Sequence, residues 1–119
     1  MNLSIKSLSD NIGRIVASND QDAADFKIAH TETTMRIDDG ITTEHTITRL
    51  EFSDGVVIRK EVEFDHLAEE EQEPQNVCPE YWLSYQVIAN PNSIQIKPFK
   101  KTFSNLCQQS FWLKMTNVN

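Results

Sequence analysis

Residues 26–64 have the sequence FKIAHTETTMRIDDGITTEHTITRLEFSDGVVIRKEVEF, in which three runs of alternating residues are separated by two short segments that end in glycine. Asp38-Asp39-Gly40 and Ser53-Asp54-Gly55 each have the form of a three-residue hairpin loop, whose last residue is left-handed. Glycine adopts that conformation at little cost. The stretch therefore predicts a three-stranded antiparallel meander.

The loops also decide which residues of neighbouring strands face each other. Three-residue loops pair apolar residues with apolar residues: Phe26 with Phe52, Ile28 with Leu50, Phe52 with Val56, and Leu50 with Ile58. Two-residue loops would instead set Ile28 against Glu51 and Leu50 against Arg59, and a slip of one residue moves a whole set of side chains to the wrong face. We therefore predict a core face made of Phe26, Ile28, Leu50, Phe52, Val56 and Ile58.

Toward the first loop the same face becomes polar. The predicted register gives three rows, namely His30, Thr48 and Lys60, then Glu32, Thr46 and Val62, then Thr34, Glu44 and Phe64. Apolar residues move to the opposite face at this end: Met35, Ile37, Ile41 and Ile47. A strongly twisted ribbon with a bulge, protruding from the core, explains this switch on structural grounds alone.

A functional interpretation of the same rows is a polar cleft in which Lys60 and His30 meet an anionic ligand. Glu32 and Glu44 would shape the cleft, and Thr48 lies in the same row as His30 and Lys60. The sequence therefore offers His30, Glu32, Glu44, Thr48 and Lys60 as candidate ligand-binding residues.

The flanking segments complete the fold. Leu8, Ile12, Ile15 and Val16 follow a helical period after Ser7, a possible N-cap. A fourth strand is predicted over 81–89, a turn at Asn90-Pro91-Asn92-Ser93, and a fifth strand over 94–99 that pairs Val87 with Ile96. The closing segment predicts an amphipathic helix packed on the core through Phe103, Leu106, Cys107, Phe111 and Met115.

These elements predict an α+β domain spanning residues 1–119. Its five-stranded antiparallel sheet consists of a three-strand meander plus a hairpin, with N- and C-terminal helices, in the order α-βββ-(α)-ββ-α. This element order, the low mass and the acidic pI near 4.8 are similar in outline to secretion chaperones of the type III class. The resemblance implies a chaperone-like adaptor.

The optional helix is an acidic segment that follows Phe64. Asp65 can cap it, Pro74 stops it, and its glutamates both favour helix and repel one another. It is either a short helix or a solvated connection. Glu69, Glu70, Glu71 and Glu73 are the candidate partner-binding residues, which would meet a basic surface.

Charge and cysteine content exclude several classes of function. The net charge of −7 opposes binding to nucleic-acid backbones and to anionic membranes. No run of 18 apolar residues predicts a membrane span. Cys78 and Cys107 lie far apart without a CxxC spacing, so we expect reduced thiols and a cytoplasmic location. The basic cluster Lys97, Lys100 and Lys101 is typical of a guarded sheet edge.

No pattern of a catalytic or cofactor-binding site is present. His30-x-Glu32 places two possible ligands on one strand face, but His45 points to the opposite face and His66 follows the sheet, which argues against zinc. GxSxG and P-loop patterns are absent, and the chain has only three glycines. We expect no metal and no cofactor, and no residues stand out together as a nucleophile and its base.

The sequence thus favours a non-catalytic acidic protein-binding module, such as an inhibitor, an immunity protein or a chaperone-like adaptor, that engages a basic partner surface. Exposed apolar residues on the protruding hairpin would supply affinity. One alternative is a small anionic-ligand binder or enzyme that uses the end of the sheet with His30 and Lys60. The other is a mimic of nucleic-acid charge, which requires carboxylates arrayed across one surface.

Overall fold

The computed structural model describes residues 4–19, 21–66 and 81–116. In chain order the elements are β1 (Ser4–Ser7), α1 (Leu8–Ala17), β2 (Phe26–Asp38), β3 (Ile41–Phe52), β4 (Val57–His66), β5 (Trp82–Ala89), β6 (Ile94–Lys97), β7 (Lys100–Phe103) and α2 (Leu106–Thr116). An antiparallel sheet has the order β2-β3-β4-β5-β7, and β1 and β6 form a separate parallel pair. The predicted α+β class, with a five-stranded antiparallel sheet and a helix toward each end of the chain, is confirmed.

The core end of the meander has the predicted register. Phe26 faces Phe52, Ile28 faces Leu50, and Leu50 faces Ile58. The amide of Phe52 donates to the carbonyl of Val56 at 2.8 Å across the loop at residues 53–55. The second loop is therefore the predicted three-residue connection, because burial of these apolar pairs leaves one compatible register.

The first loop is shorter than predicted. Asp38 faces Ile41, which leaves a turn of Asp39 (φ 51°) and Gly40 (φ 77°). Positive φ at both positions defines a type I′ turn, whose twist matches that of the flanking strands. A bulge between Ile28 and His30 absorbs the one-residue difference. The prediction of a three-residue first loop is wrong, whereas the suggestion of a bulge is confirmed.

The helix α1 covers the face of the sheet that carries Leu50 and Ile58. The predicted N-cap is confirmed, since the Ser7 hydroxyl accepts a hydrogen bond from the amide of Ser9 at 3.2 Å. Of the apolar residues predicted for this helix, Val16 is exposed and the other three are buried. The hydrophobic core consists of Leu8, Ile12, Ile15, Phe26, Leu50, Phe52, Val56, Ile58, Val62, Leu83, Tyr85, Ile96 and Phe103.

The segment predicted as the fifth strand forms the shorter strand β6, and a further strand, β7, follows it. Pro98 separates β6 from β7, because it lacks the amide hydrogen that a ladder needs. Ile96 in β6 faces Lys6 of β1, and the amide of Val87 donates instead to the carbonyl of Phe99 at 2.7 Å. The predicted pair of Val87 with Ile96 is therefore wrong, and β7 takes the sheet edge beside β5.

The helix α2 turns a different side to the core than predicted. Its inward side consists of Gln109, Trp112 and Leu113. Core packing through Leu106, Cys107, Phe111 and Met115 is wrong, because these residues are exposed, while Phe103 is buried but belongs to β7. Spacing alone found the helix without identifying its buried side, since apolar residues lie on both sides.

Two further expectations, the acidic helix and the reduced thiols, concern residues of which the structure describes only some. Asp65, the predicted cap of the acidic helix, lies in β4 and accepts a hydrogen bond of 2.6 Å from the Thr43 hydroxyl. The remainder of that segment lies outside the described residues. Cys107 is disulfide-bonded, so the expectation of a reduced thiol is wrong there. The other cysteine of the chain, Cys78, is outside the described ranges. Neither α1 nor α2 is long and apolar enough to cross a membrane.

Candidate functional site

The β2–β3 hairpin forms an arm that the helices leave uncovered. We define the arm as residues 30–48. On β2 every residue from Ala29 to Asp38 is exposed, although its partner strand β3 is half-buried over most of its length. The strand β2 is also an edge of the five-stranded sheet. A partner molecule can therefore reach both the outer edge of β2 and the exposed side chains of the arm.

The end of the arm combines apolar and acidic groups. Met35, Ile37 and Ile41 have 58%, 75% and 37% of their surface exposed. Asp38 and Asp39 lie at the turn, and within the described residues neither carboxylate has an ion-pair partner. We call these five residues the arm tip.

The bulge explains why the apolar residues of β2 do not change sides as predicted. Met35 faces Glu44 and Ile37 faces Thr42, positions of β3 that share a face with Leu50. The extra residue at the bulge returns Met35 and Ile37 to the face of Phe26 and Ile28. The predicted switch is therefore wrong for β2, whereas Ile41 and Ile47 on β3 do lie on the opposite face.

The predicted ligand-binding rows are not formed. Thr48 faces Lys60 as expected, but the neighbouring position on β2 belongs to Thr31. His30 instead faces Arg49 on the other side of the sheet, where its Nε2 lies 3.8 Å from a carboxylate oxygen of Glu32. The predicted row was wrong because the bulge shifts every later residue of β2 by one position.

The remaining candidate residues are divided between the faces in the same way. Glu44 shares the helix-covered face with Thr48 and Lys60, and its Oε1 lies 3.3 Å from His66 Nε2. The ammonium of Lys60 lies 5.8 Å from the ring centroid of Tyr85. His30 and Glu32 lie on the open face. The five residues therefore do not converge on one ligand.

The open face of the sheet carries charges of both signs. Glu61 lies 2.8 Å from His45 and 3.1 Å from Arg59, while Glu63 lies 3.6 Å from Arg36. Ion pairs at a protein surface contribute about 0–1 kcal/mol each. Interleaved cations prevent these carboxylates from forming a continuous negative surface, so this face gives no support to mimicry of nucleic-acid charge.

The histidines of the chain face carboxylates. His30, His45 and His66 lie within 3.8 Å of Glu32, Glu61 and Glu44 respectively. A carboxylate beside a histidine orients the imidazole, an arrangement found both in structural ion pairs and in catalytic triads. Over residues 4–19, 21–66 and 81–116, no group of three or more His, Cys, Asp or Glu side chains is placed to hold a metal ion.

The cavities that open on the described surface include the following two. One, of about 460 Å³, lies beside the second loop and is lined by Ala23, Asp25, Phe52 and Val57 among others. The charged groups that line it include Lys27 and Glu51, which lie 3.6 Å apart and satisfy each other. The other cavity, of about 620 Å³, lies where β6 meets β7 and has lysines on its lining. The sequence analysis identified neither cavity.

The candidate partner-binding residues Glu69, Glu70, Glu71 and Glu73 lie outside the described residues, so their role stays a prediction. The arm tip was partly visible in the sequence, through its Asp-Gly pair and the alternating Met35 and Ile37. No family model, curated protein or solved structure matches this chain.

Proposed function

We propose that this protein is a non-catalytic binding module whose arm tip engages a basic surface on a partner protein. The observation that carries the proposal is the combination, at the end of one exposed hairpin, of three exposed apolar side chains with two carboxylates that lack ion-pair partners among the described residues. Partners of this kind include a basic enzyme that the protein inhibits, a toxin that it neutralises, or a secreted protein that it escorts.

The two kinds of group would contribute differently. Burial of apolar surface yields about 25 cal/mol per Å², so Met35, Ile37 and Ile41 would supply most of the affinity. The carboxylates of Asp38 and Asp39, at the rim, would steer association and select partners that carry lysine and arginine. The net charge of −7 adds to this steering at long range.

Binding without catalysis agrees with the side-chain chemistry. Each histidine lies beside a carboxylate, and several charged groups of the open face are paired with one another. Neither arrangement resembles a nucleophile with its base. A cytoplasmic location stays a prediction, and the disulfide at Cys107 contradicts the reduced state expected of that residue.

A photo-crosslinking experiment tests the proposal. A photoreactive amino acid replaces Ile37 in one variant and Ile88 in another, since Ile88 is exposed and apolar but lies on β5. Irradiation in extract of the native host should link a basic protein to position 37 and not to position 88. Excess wild-type protein should compete, whereas the Ile37→Ser variant should compete poorly. Identical products from both positions, or competition by Ile37→Ser equal to that by wild type, would refute the role of the arm tip.

A further inference from the structure

The charge of the chain is unevenly distributed along the sequence. Residues 81–116 contain Lys97, Lys100, Lys101 and Lys114 and no aspartate or glutamate, although the whole chain carries a net charge of −7. This stretch folds into β5, β6, β7 and α2. It therefore gives an acidic protein one cationic region, at the sheet edge opposite to β2.

A cavity of about 620 Å³ lies within this region, which we call the β6–β7 cavity. Apolar groups of Val87, Ile96, Pro98 and Phe99 line it together with the lysines Lys97 and Lys100. Its volume falls within the roughly 300–1,000 Å³ typical of ligand sites, which are mostly apolar with a few placed polar groups. The composition of the lining suits a ligand that is part apolar and part anionic.

The lysines of the region differ in their surroundings. The ammonium of Lys101 lies 5.4 Å from the Trp112 ring centroid and 5.7 Å from that of Phe103, so it packs against aromatic rings. Lys97 and Lys100 are exposed, and among the described residues they have no ion-pair partner. Both ammonium groups are therefore available to an external anion.

Phe99 is an exposed apolar residue on the lining of the cavity. Although its carbonyl is fixed by the hydrogen bond from Val87, 64% of the residue surface is exposed. Phe99 connects β6 to the edge strand β7. An edge strand can align an extended peptide, while adjacent pockets take its side chains.

We infer that the β6–β7 cavity binds an acidic peptide segment of a partner protein. An apolar side chain of the segment enters the cavity against Phe99, and flanking carboxylates meet Lys97 and Lys100. A nucleic acid fits less well, because backbone binding draws on many clustered cations, whereas two lysines line this cavity. This site is distinct from the arm tip in position and opposite to it in charge.

Fluorescence anisotropy on the full chain tests the inference. The probe is a short fluorescein-labelled peptide in which glutamates flank a phenylalanine and a leucine, and its control carries glutamine at each glutamate. The probe should bind saturably, and the control at least about tenfold more weakly, a change of about 1.4 kcal/mol. Equal affinity for both peptides, or no binding of the probe, would overturn the inference.

Variants locate the site. Replacing both lysines, as Lys97→Gln with Lys100→Gln, should weaken probe binding about tenfold or more. Phe99→Ser should also weaken it, whereas Lys114→Gln, which removes an exposed lysine of the same region, should change affinity less than about twofold. The double replacement Lys97→Arg with Lys100→Arg keeps the charges and should keep binding. Retained binding would show that the glutamine variant loses affinity through its missing charges and not through misfolding. An equal loss in Lys114→Gln would indicate unspecific charge attraction and refute the site.

Two further ligands decide between classes of partner. A single-stranded oligonucleotide and vesicles containing phosphatidylserine are titrated under the same conditions. Weaker binding of both than of the acidic peptide supports the inference. Tighter binding of either one, lost in the variant without Lys97 and Lys100, would assign the cavity to nucleic acid or to membrane and overturn the peptide assignment.

Discussion

The hydroxyl of Tyr85 donates a hydrogen bond of 2.6 Å to Oε1 of Gln109, and both residues are buried. Tyr85 belongs to β5 and Gln109 to α2, so the bond fixes the C-terminal helix to the strand beside the edge strand β7. Buried polar groups are almost always hydrogen-bonded, because an unpaired one loses its interaction with water without compensation. This bond explains why a glutamine faces the core from α2.

Removing the Tyr85 hydroxyl should destabilise the protein. In Tyr85→Phe the buried side chain of Gln109 loses its partner, which costs about 1–3 kcal/mol in the free energy of unfolding. Urea denaturation followed by circular dichroism measures the change. The double variant Tyr85→Phe with Gln109→Leu removes both polar partners and should recover part of the loss. A single variant as stable as wild type would mean that the bond contributes nothing to folding.

The two loop glycines should respond unequally to substitution. Both have positive φ, but a Cβ at Gly55 would lie 2.8 Å from Pro91 Cγ, whereas at Gly40 it would meet nothing within 4 Å. Gly40→Ala should cost about 1–2 kcal/mol for its left-handed backbone alone. Gly55→Ala should cost more in the same denaturation assay, and Pro91→Ala in that background should recover the difference. Equal costs at both positions would show that the turn between β5 and β6, which contains Pro91, moves to accommodate the added Cβ at no cost.

The confirmed register makes Leu50 a central core residue. It is fully buried between Ile28 and Ile58, so Leu50→Ala should lower the free energy of unfolding by about 2–5 kcal/mol. Ile37→Ala provides the matched control, because it removes a similar side chain from the exposed arm tip and should change stability by less than about 0.5 kcal/mol. A comparable loss in both variants would indicate that the arm is packed against something in solution.

The sequence predicted the register of the core end because apolar matching and burial act together there. Only one alignment sets Leu50 against both Ile28 and Ile58, and that alignment is observed. Beyond Ile28 the residues of β2 are exposed, so burial does not select an alignment and the turn decides. The Asp39-Gly40 pair forms a type I′ turn. The turn and the core end require alignments that differ by one residue, and a bulge absorbs the difference. No residue type in the sequence predicts that bulge.

Other features left no local signal. The strand β1 is exposed throughout and pairs in parallel with β6, about ninety residues away along the chain, so no alternation or hairpin turn reveals it. The β6–β7 cavity lies beside that pair, since Ile96 and Lys97 of β6 line it. The candidate ligand row failed for a related reason, since one bulged residue is enough to move His30 to the opposite face from Lys60.

The disulfide at Cys107 should contribute to stability. Reduction of the wild-type protein, or the Cys107→Ser replacement, should lower the free energy of unfolding by about 2–4 kcal/mol, because a cross-link restricts the unfolded chain. Adding a reductant to Cys107→Ser should have no further effect. Peptide mapping by mass spectrometry without reduction tests the bond directly. A free thiol at Cys107 in protein purified from its host would restore the argument for a reducing compartment.

The acidic segment after β4 should speed the association with a basic partner identified by crosslinking at the arm tip. Glu69, Glu70, Glu71 and Glu73 lie close together in sequence, and exposed charges act over about 8–10 Å at physiological salt. Their replacement by glutamine should therefore slow association and flatten its dependence on salt, with a smaller effect on dissociation. Stopped-flow mixing over a salt series measures both rates.

A charge-matched variant separates local steering from net charge. It replaces Glu32, Glu51, Glu61 and Glu63, whose side chains lie near lysine, arginine or histidine side chains on the open face, by glutamine. Both variants lose the same charge. A larger decrease in the association rate of the variant without the glutamates of the acidic segment would therefore show that the steering comes from that segment. Equal losses would assign the effect to the overall charge. An unchanged rate in the first variant would make the segment a solvated connector and leave Asp38 and Asp39 as the groups that select a basic partner.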